Sequence, residues 1–230
     1  FHQELRGVDA AGHPLGPDML QGRRHRRRRR QPESQREDGR VQGAVIAALA
    51  IDEQAAVHIE HLGHLTKAAA WLSRLDIPVR LLVIPEGGLQ GFNDEVLDID
   101  HVDFANNCAI DIPGPETDAL GKLAREYDVF IMAQAKARHP DWQDRFFNVG
   151  FVLNPDGEVI LKHYKLATLY PVEHSMTPHD IFDWWIEKYG RTLDAFWPVV
   201  DTEIGRLGVM MANEASYPEN GRGLAMNGCE

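Results

Sequence analysis

The sequence predicts a layered α/β fold, and three observations carry that prediction. From about residue 41 onward, segments with helical spacing alternate with short apolar runs. Two of those runs are joined by Asn154-Pro155-Asp156-Gly157, a turn sequence that reads as a hairpin. Three runs end abruptly on polar residues, as strands do where α/β proteins build their sites.

Taken in order, Val41–Ile51 is an Ala/Val/Ile-rich stretch that fits a first strand, and Gln54–Leu75 reads as a helix. In that helix Val57, Leu62, Leu65, Ala69 and Leu72 fall near 3.6-residue spacing. Val79–Ile84 is a short buried strand stopped by Pro85-Glu86-Gly87-Gly88. Thr117–Tyr127 follows the breaker Pro113-Gly114-Pro115 as a second helix, and Val129–Ala135 is the strand after it. Phe146–Leu153 and Glu158–His163 form the hairpin. Residues 170–198 make a long aromatic insertion with Trp184, Trp185 and Trp197. Ile204–Met211 is an apolar strand ending at Ala212-Asn213-Glu214, and Asn220–Gly228 begins a helix.

Residues 1–40 differ from everything after them. They carry ten Arg against six Asp and Glu, including the run Arg23 to Arg30 broken only by His25, and offer no apolar face. Charges that dense repel one another, so a basic, disordered tail is expected ahead of a domain at 41–230. No aromatic residues interleave with the arginines to stack bases. The net charge of −11 leaves −15 for the remaining 190 residues, and an acidic body has no general attraction for nucleic acid. No apolar run reaches the length of a membrane span. Cys108 and Cys229 are too few for a disulfide framework and lack metal spacing, so they read as small buried or structural residues in a reducing, cytoplasmic setting.

The candidate chemistry lies at the three strand ends. Glu86 sits at a sharp bend against a dry sheet, where a carboxyl can take and return a proton near neutrality; the alternative on local sequence is a turn carboxylate that caps a helix or faces water. Lys165, in His163-Tyr164-Lys165-Leu166, can supply fixed positive charge to an oxyanion. Glu173, eight residues on, is a second carboxylate; His163 and His174 lie near it without metal spacing. The third end, Gly208 to Glu219, has the form that displays a residue at the apex of a strand-to-helix turn. That apex is Ala212, which has nothing to attack with. Ser216, with no adjacent base, reads as a helix cap.

These stretches together resemble the nitrilase superfamily of carbon–nitrogen hydrolases, nearest its aliphatic amidases and formamidases. The likeness rests on Leu82-Val83-Ile84-Pro85-Glu86-Gly87-Gly88, on Tyr164-Lys165-Leu166 with Tyr170-Pro171-Val172-Glu173, and on Gly208 to Glu219 continuing through Arg222 to Gly228. Asn148-Val149-Gly150-Phe151 and Asn154 to Gly157 match the family's hairpin. The resemblance spans residues 79–230 well and 41–78 loosely.

It implies an αββα-type two-sheet sandwich, with Glu86 as general base, Lys165 as oxyanion holder, Glu173 as the amidase branch's additional carboxylate, and Ala212 where the family has its cysteine nucleophile. It implies a small amide or nitrile as substrate, no metal or organic cofactor, and a homodimer or higher homo-oligomer for a full-length version. Two departures bear on activity. Alanine at 212 removes the covalent step, so this chain is expected to be inactive; the alternative is a natural non-catalytic relative that binds a ligand or partner. The chain also stops before the strands that would complete the family fold, so a C-terminally incomplete domain, a fragment, is expected.

Overall fold

The computed structural model describes residues 55–73, 78–92, 100–169 and 172–230. The expected tail at 1–40 and the expected strand Val41–Ile51 lie outside them. Among the described residues the chain is a mixed α/β protein with a four-stranded and a two-stranded sheet. Among the described residues no helix is long and apolar enough to cross a membrane.

Helix α1 covers 55–73 and β1 Leu81–Val83. Helix α2, His101–Asn107, begins at Asp100, whose carboxylate accepts the Val102 N–H at 2.9 Å. Helix α3 is Pro115–Tyr127, with proline where the first turn needs no donor. Strands β2 (Phe130–His139), β3 (Trp142–Leu153) and β4 (Val159–Tyr164) follow. Then come α4 (Phe182–Tyr189), β5 (Val199–Thr202), β6 (Gly205–Gly208), a 3-10 turn at Ala212–Ser216 and α5 (Pro218–Met226).

The main sheet has the order β1-β2-β3-β4. β1 runs parallel to β2, as the helical crossover between them requires, and the other two pairs are antiparallel. Period-two alternation divides its residues between two environments. Ile131, Ala133, Ala135 and Ala137 of β2, with Phe147, Val149, Phe151 and Leu153 of β3, pack on the side of α1 and α3 with Leu120 and Ala124. Phe130 and Val152 face the other way, against Val200 and Leu207 of the β5–β6 hairpin and Val209 and Met211 beyond it. Gly150 sits where the layers approach most closely, because any Cβ there would collide with Val209. On the hairpin's far side Leu224 of α5 packs over Gly208. The order of layers is therefore helix, sheet, sheet, helix, as expected.

Several elements depart from the sequence expectation. Ile204–Met211 is not one strand: pairing stops at Gly208, because the Met211 N–H is taken by the Glu214 carboxylate at 2.9 Å. Its partner β5 begins directly after the aromatic insertion, which itself contains α4. Helix α1 docks through Ala55, Ile59, Leu62 and Thr66, while Val57, Leu65 and Leu72 are exposed. That helix is apolar on more than one face, so spacing alone does not choose the face that packs. Ser216 does not cap α5, whose N-cap is Tyr217 without a side-chain bond and whose first residue, Pro218, has no N–H to satisfy. Cys108 is buried, but Cys229 is only half-buried; both are free thiols.

Candidate active site

Three polar residues interrupt the apolar face that the main sheet turns toward the hairpin: Gln134 and Lys136 of β2 and Asn148 of β3. All three are buried, and Lys136 pairs in register with Asn148. Buried polar groups must find partners, so this patch marks where the sheet serves something other than packing.

Glu86 reaches the patch from the turn after β1. That turn is closed by the Gly88 N–H on the Pro85 carbonyl at 2.9 Å, and Gly87 holds a φ of +77°, a conformation that favours glycine. The Gly87 N–H donates to Gln134 Oε1 at 2.8 Å, and Gln134 Nε2 donates to Asn148 Oδ1 at 2.6 Å. Asn148 is thereby oriented with both Nδ2 protons toward carboxylates: Glu86 Oε1 at 2.5 Å and Glu173 Oε1 at 2.7 Å.

Lys165 follows β4, its N–H bonded to the Asn148 carbonyl at 2.9 Å. Its ammonium lies between the same two carboxylates, 2.7 Å from Glu86 Oε1 and 2.8 Å from Glu173 Oε2. Lys136 Nζ adds a longer contact to Glu173 Oε1 at 3.4 Å, Ser175 Oγ donates to that oxygen at 3.0 Å, and the Leu169 N–H donates to Oε2 at 3.2 Å. Two ammonium groups thus face two carboxylates in a nearly dry space, which is the condition for a buried ionic cluster to persist.

Burial opposes the charge on Glu173, but the Lys136 charge and the bonds from Asn148 and Lys165 outweigh it and hold the carboxyl down to about 2. Burial likewise works against the Lys165 ammonium, and its bonds to Glu173 and Glu86 reverse that, leaving the amine above its ordinary value. A depressed carboxyl contributes stability that is complete above its unfolded value of 4.5 and disappears as the pH falls toward 2. The expected loss across that window is about 3 kcal/mol. Urea unfolding between pH 5 and 2 checks this: Glu173→Gln flattens the acid limb if the cluster is intact, and leaves its slope unchanged if Glu173 is not charged in the folded state.

The elbow at 212 is set by a second buried carboxylate. Glu214 turns back onto the Met211 N–H, accepts the Leu166 N–H at 2.7 Å, and lies 3.0 Å from His163 Nε2. Burial raises its carboxyl, but His163 and these two backbone donors prevail and place it below its usual range. The result ties the Lys165 loop to the elbow. Ala212 itself is exposed with φ +32°, a left-handed conformation unusual for a residue with a Cβ. Ala212, Glu86, Gln134, Phe92 and Met211 share the wall of one cavity of about 400 Å3.

The structure therefore brings Glu86, Lys165 and Glu173 into one hydrogen-bonded cluster, and puts Glu86 and Ala212 on one cavity. Glu86 Oε1 carries all the bonds made to that carboxylate. Oε2 is buried and, among the described residues, has no partner.

Sequence reasoning missed Gln134, Lys136, Asn148 and the His163–Glu214 pair as parts of the site. His174 stands apart from it, its carbonyl near His101 Nδ1 at 3.1 Å.

Comparisons with known proteins bear on the family and the fold. The carbon–nitrogen hydrolase family pattern matches residues 46–230. A formamidase of Helicobacter acinonychis is 28% identical over 152 residues, which is 66% of this chain and 39% of that protein. A formamidase of Bacillus thuringiensis is 30% identical over 151 residues, 65% of this chain and 39% of that protein. Among solved structures, a carbon–nitrogen hydrolase from Helicobacter pylori superposes with a TM-score of 0.52 at 18% identity, covering 76% of this chain and 53% of that one. An amidase from Nesterenkonia sp. gives 0.50 at 15% identity, covering 75% and 57%. At those identities the two structures speak for the fold. The aligned region spans about two fifths of the formamidases' length. The matched pattern covers the described strands, the cluster and the elbow alike, and the chain belongs to the carbon–nitrogen hydrolase family.

Proposed function

We propose that this chain holds the small-amide pocket of a carbon–nitrogen hydrolase with its covalent step removed. It binds a small aliphatic amide, or the corresponding nitrile, and does not turn it over. The observation that carries the reading is the division of labour on Glu86. Lys165 and Asn148 occupy Oε1, Oε2 is buried without a partner among the described residues, and Glu86 lines the cavity that Ala212 shares.

With cysteine at 212, the free Oε2 would take the thiol proton and the thiolate would attack the amide carbon. Lys165 would meet the developing oxyanion, and Glu86 would return its proton to the departing ammonia. Water, its proton again taken by Glu86, would then release the acid from the thioester. Glu173 touches both Lys165 and Asn148, so its role is to hold the ammonium and the amide group in place. With Ala212 only the binding part of this sequence remains. Pairing of two chains goes with the family reading, and two free thiols support a reducing, cytoplasmic setting.

The test is a calorimetric titration with formamide and acetamide alongside an ammonia assay. Saturable binding without ammonia is the expected result. Absence of binding to either amide, or steady ammonia release from the unaltered chain, overturns the reading.

A further inference from the structure

Side chains alternate along β4, so Lys162 and Tyr164 point away from His163 and Lys165. On that opposite side of the sheet lies a second cavity, of about 340 Å3, whose wall includes His139, Lys162, Tyr164, Trp185, Lys188 and Tyr189. It is separate from the Glu86 cluster and does not depend on the activity proposed for it.

The walls are aromatic. The Tyr164 and Trp185 rings lie 5.1 Å apart at 70°, and Trp185 and Tyr189 4.6 Å apart at 47°. The first pair is edge-to-face and the second tilted, and rings set at such angles can receive another ring against them.

The polar groups at the rim point to an anion. Lys162 is half-buried, its amine lowered by that burial, and its Nζ donates to the Ile112 carbonyl at 3.1 Å. It has no carboxylate partner among the described residues, which leaves a desolvated ammonium with spare donors. Lys188 also lines the cavity, paired with Asp141 and 5.0 Å over the Trp184 ring. Asp194, the acidic group among the described residues of the wall, is engaged by Asn227 Nδ2 at 2.7 Å.

The Tyr189 hydroxyl adds a directed donor. The Asp141 N–H donates to His139 Nδ1 at 3.1 Å, which leaves that nitrogen without a proton. Burial first, and the charges of Lys188 and Lys162 after it, bring His139 down to about 4 and keep the ring neutral. Its single proton therefore sits on Nε2 and is donated to the Tyr189 oxygen at 2.6 Å. The hydroxyl's own hydrogen remains to be given elsewhere.

We propose that this cavity binds a small planar aromatic carboxylate, its ring against Trp185 and Tyr164 and its carboxylate on Lys162 Nζ and the Tyr189 hydroxyl. A cavity of this size accepts one such ring with room for water.

Calorimetric titration of the 230-residue chain with benzoate tests this. One saturable site is expected, with benzyl alcohol and formate each weaker by at least about tenfold, since each lacks one of the two recognised features. Lys162→Met keeps the apolar stem and removes the charge, and weakens benzoate by at least about tenfold; Tyr189→Phe weakens it about threefold or more. Saturating acetamide leaves benzoate binding unchanged. The proposal is overturned if benzoate does not bind, if formate binds as well as benzoate, or if acetamide displaces benzoate while Lys162→Met preserves its binding.

Discussion

On the proposed function, Ala212→Cys is expected to give a chain that releases ammonia from small amides. The expected gain over the unaltered protein is at least about 10^4-fold, because removing the nucleophile of a covalent hydrolase costs on that order or more. The elbow is already built to present such a group: the residue at 212 is exposed, held at φ +32°, and clamped by Glu214 on the preceding N–H and on the Leu166 N–H. A thiol there would share a cavity with Glu86, whose Oε2 is unpaired among the described residues. Adding Glu86→Gln to the same chain separates base catalysis from mere presence of a thiol. The double variant is expected to fall back by about 10^2-fold or more, with amide binding retained. Ammonia release by Ala212→Cys that equals the unaltered background would count against the pocket as an amide site, and equal rates with and without Glu86 would count against Glu86 as the base.

Lys165→Met is expected to be the most destabilising single change in the described chain. The ammonium is 2% exposed and makes the shortest ion pairs to both carboxylates. Without it Glu86 and Glu173 share one buried space in which the more distant Lys136 is the nearby cation, with Asn148, Ser175 and the Leu169 N–H as neutral donors. Breaking a buried pair from one side costs about 3–5 kcal/mol. Equilibrium unfolding in urea measures the loss. Adding Glu173→Gln to Lys165→Met is expected to recover part of it, since the second change removes one of the stranded charges. A loss below about 1 kcal/mol for Lys165→Met, or a double variant less stable than the single by the full Glu173→Gln effect, contradicts the cluster as described.

Glu86, Lys165 and Glu173 were legible only through the resemblance of the stretches around them; taken locally, Glu86 reads as a turn carboxylate and Lys165 as a surface lysine. Gln134, Lys136 and Asn148 were not legible, for a reason of register. Period two tells that they share a side with Phe130 and Val152, but which side meets the second sheet depends on pairings fixed far away in the chain. The His163–Glu214 bond joins residues 51 apart and leaves no local signature. Strand β5 escaped notice because Trp197 and Pro198 sit directly before it and its four residues alternate too briefly to stand out. The proposal that Ala212 stands at a nucleophile position rests, by contrast, on one letter within a local stretch that includes Asn213, Glu214, Tyr217, Pro218 and Glu219.

A crystal structure of the unaltered chain with acetamide bound tests the central claim most directly. The account predicts the amide in the cavity between Glu86 and Ala212, its oxygen turned toward Lys165 Nζ and its carbonyl carbon in contact with the Ala212 methyl. An amide bound elsewhere, or a Lys165 side chain directed away from that cavity, contradicts it.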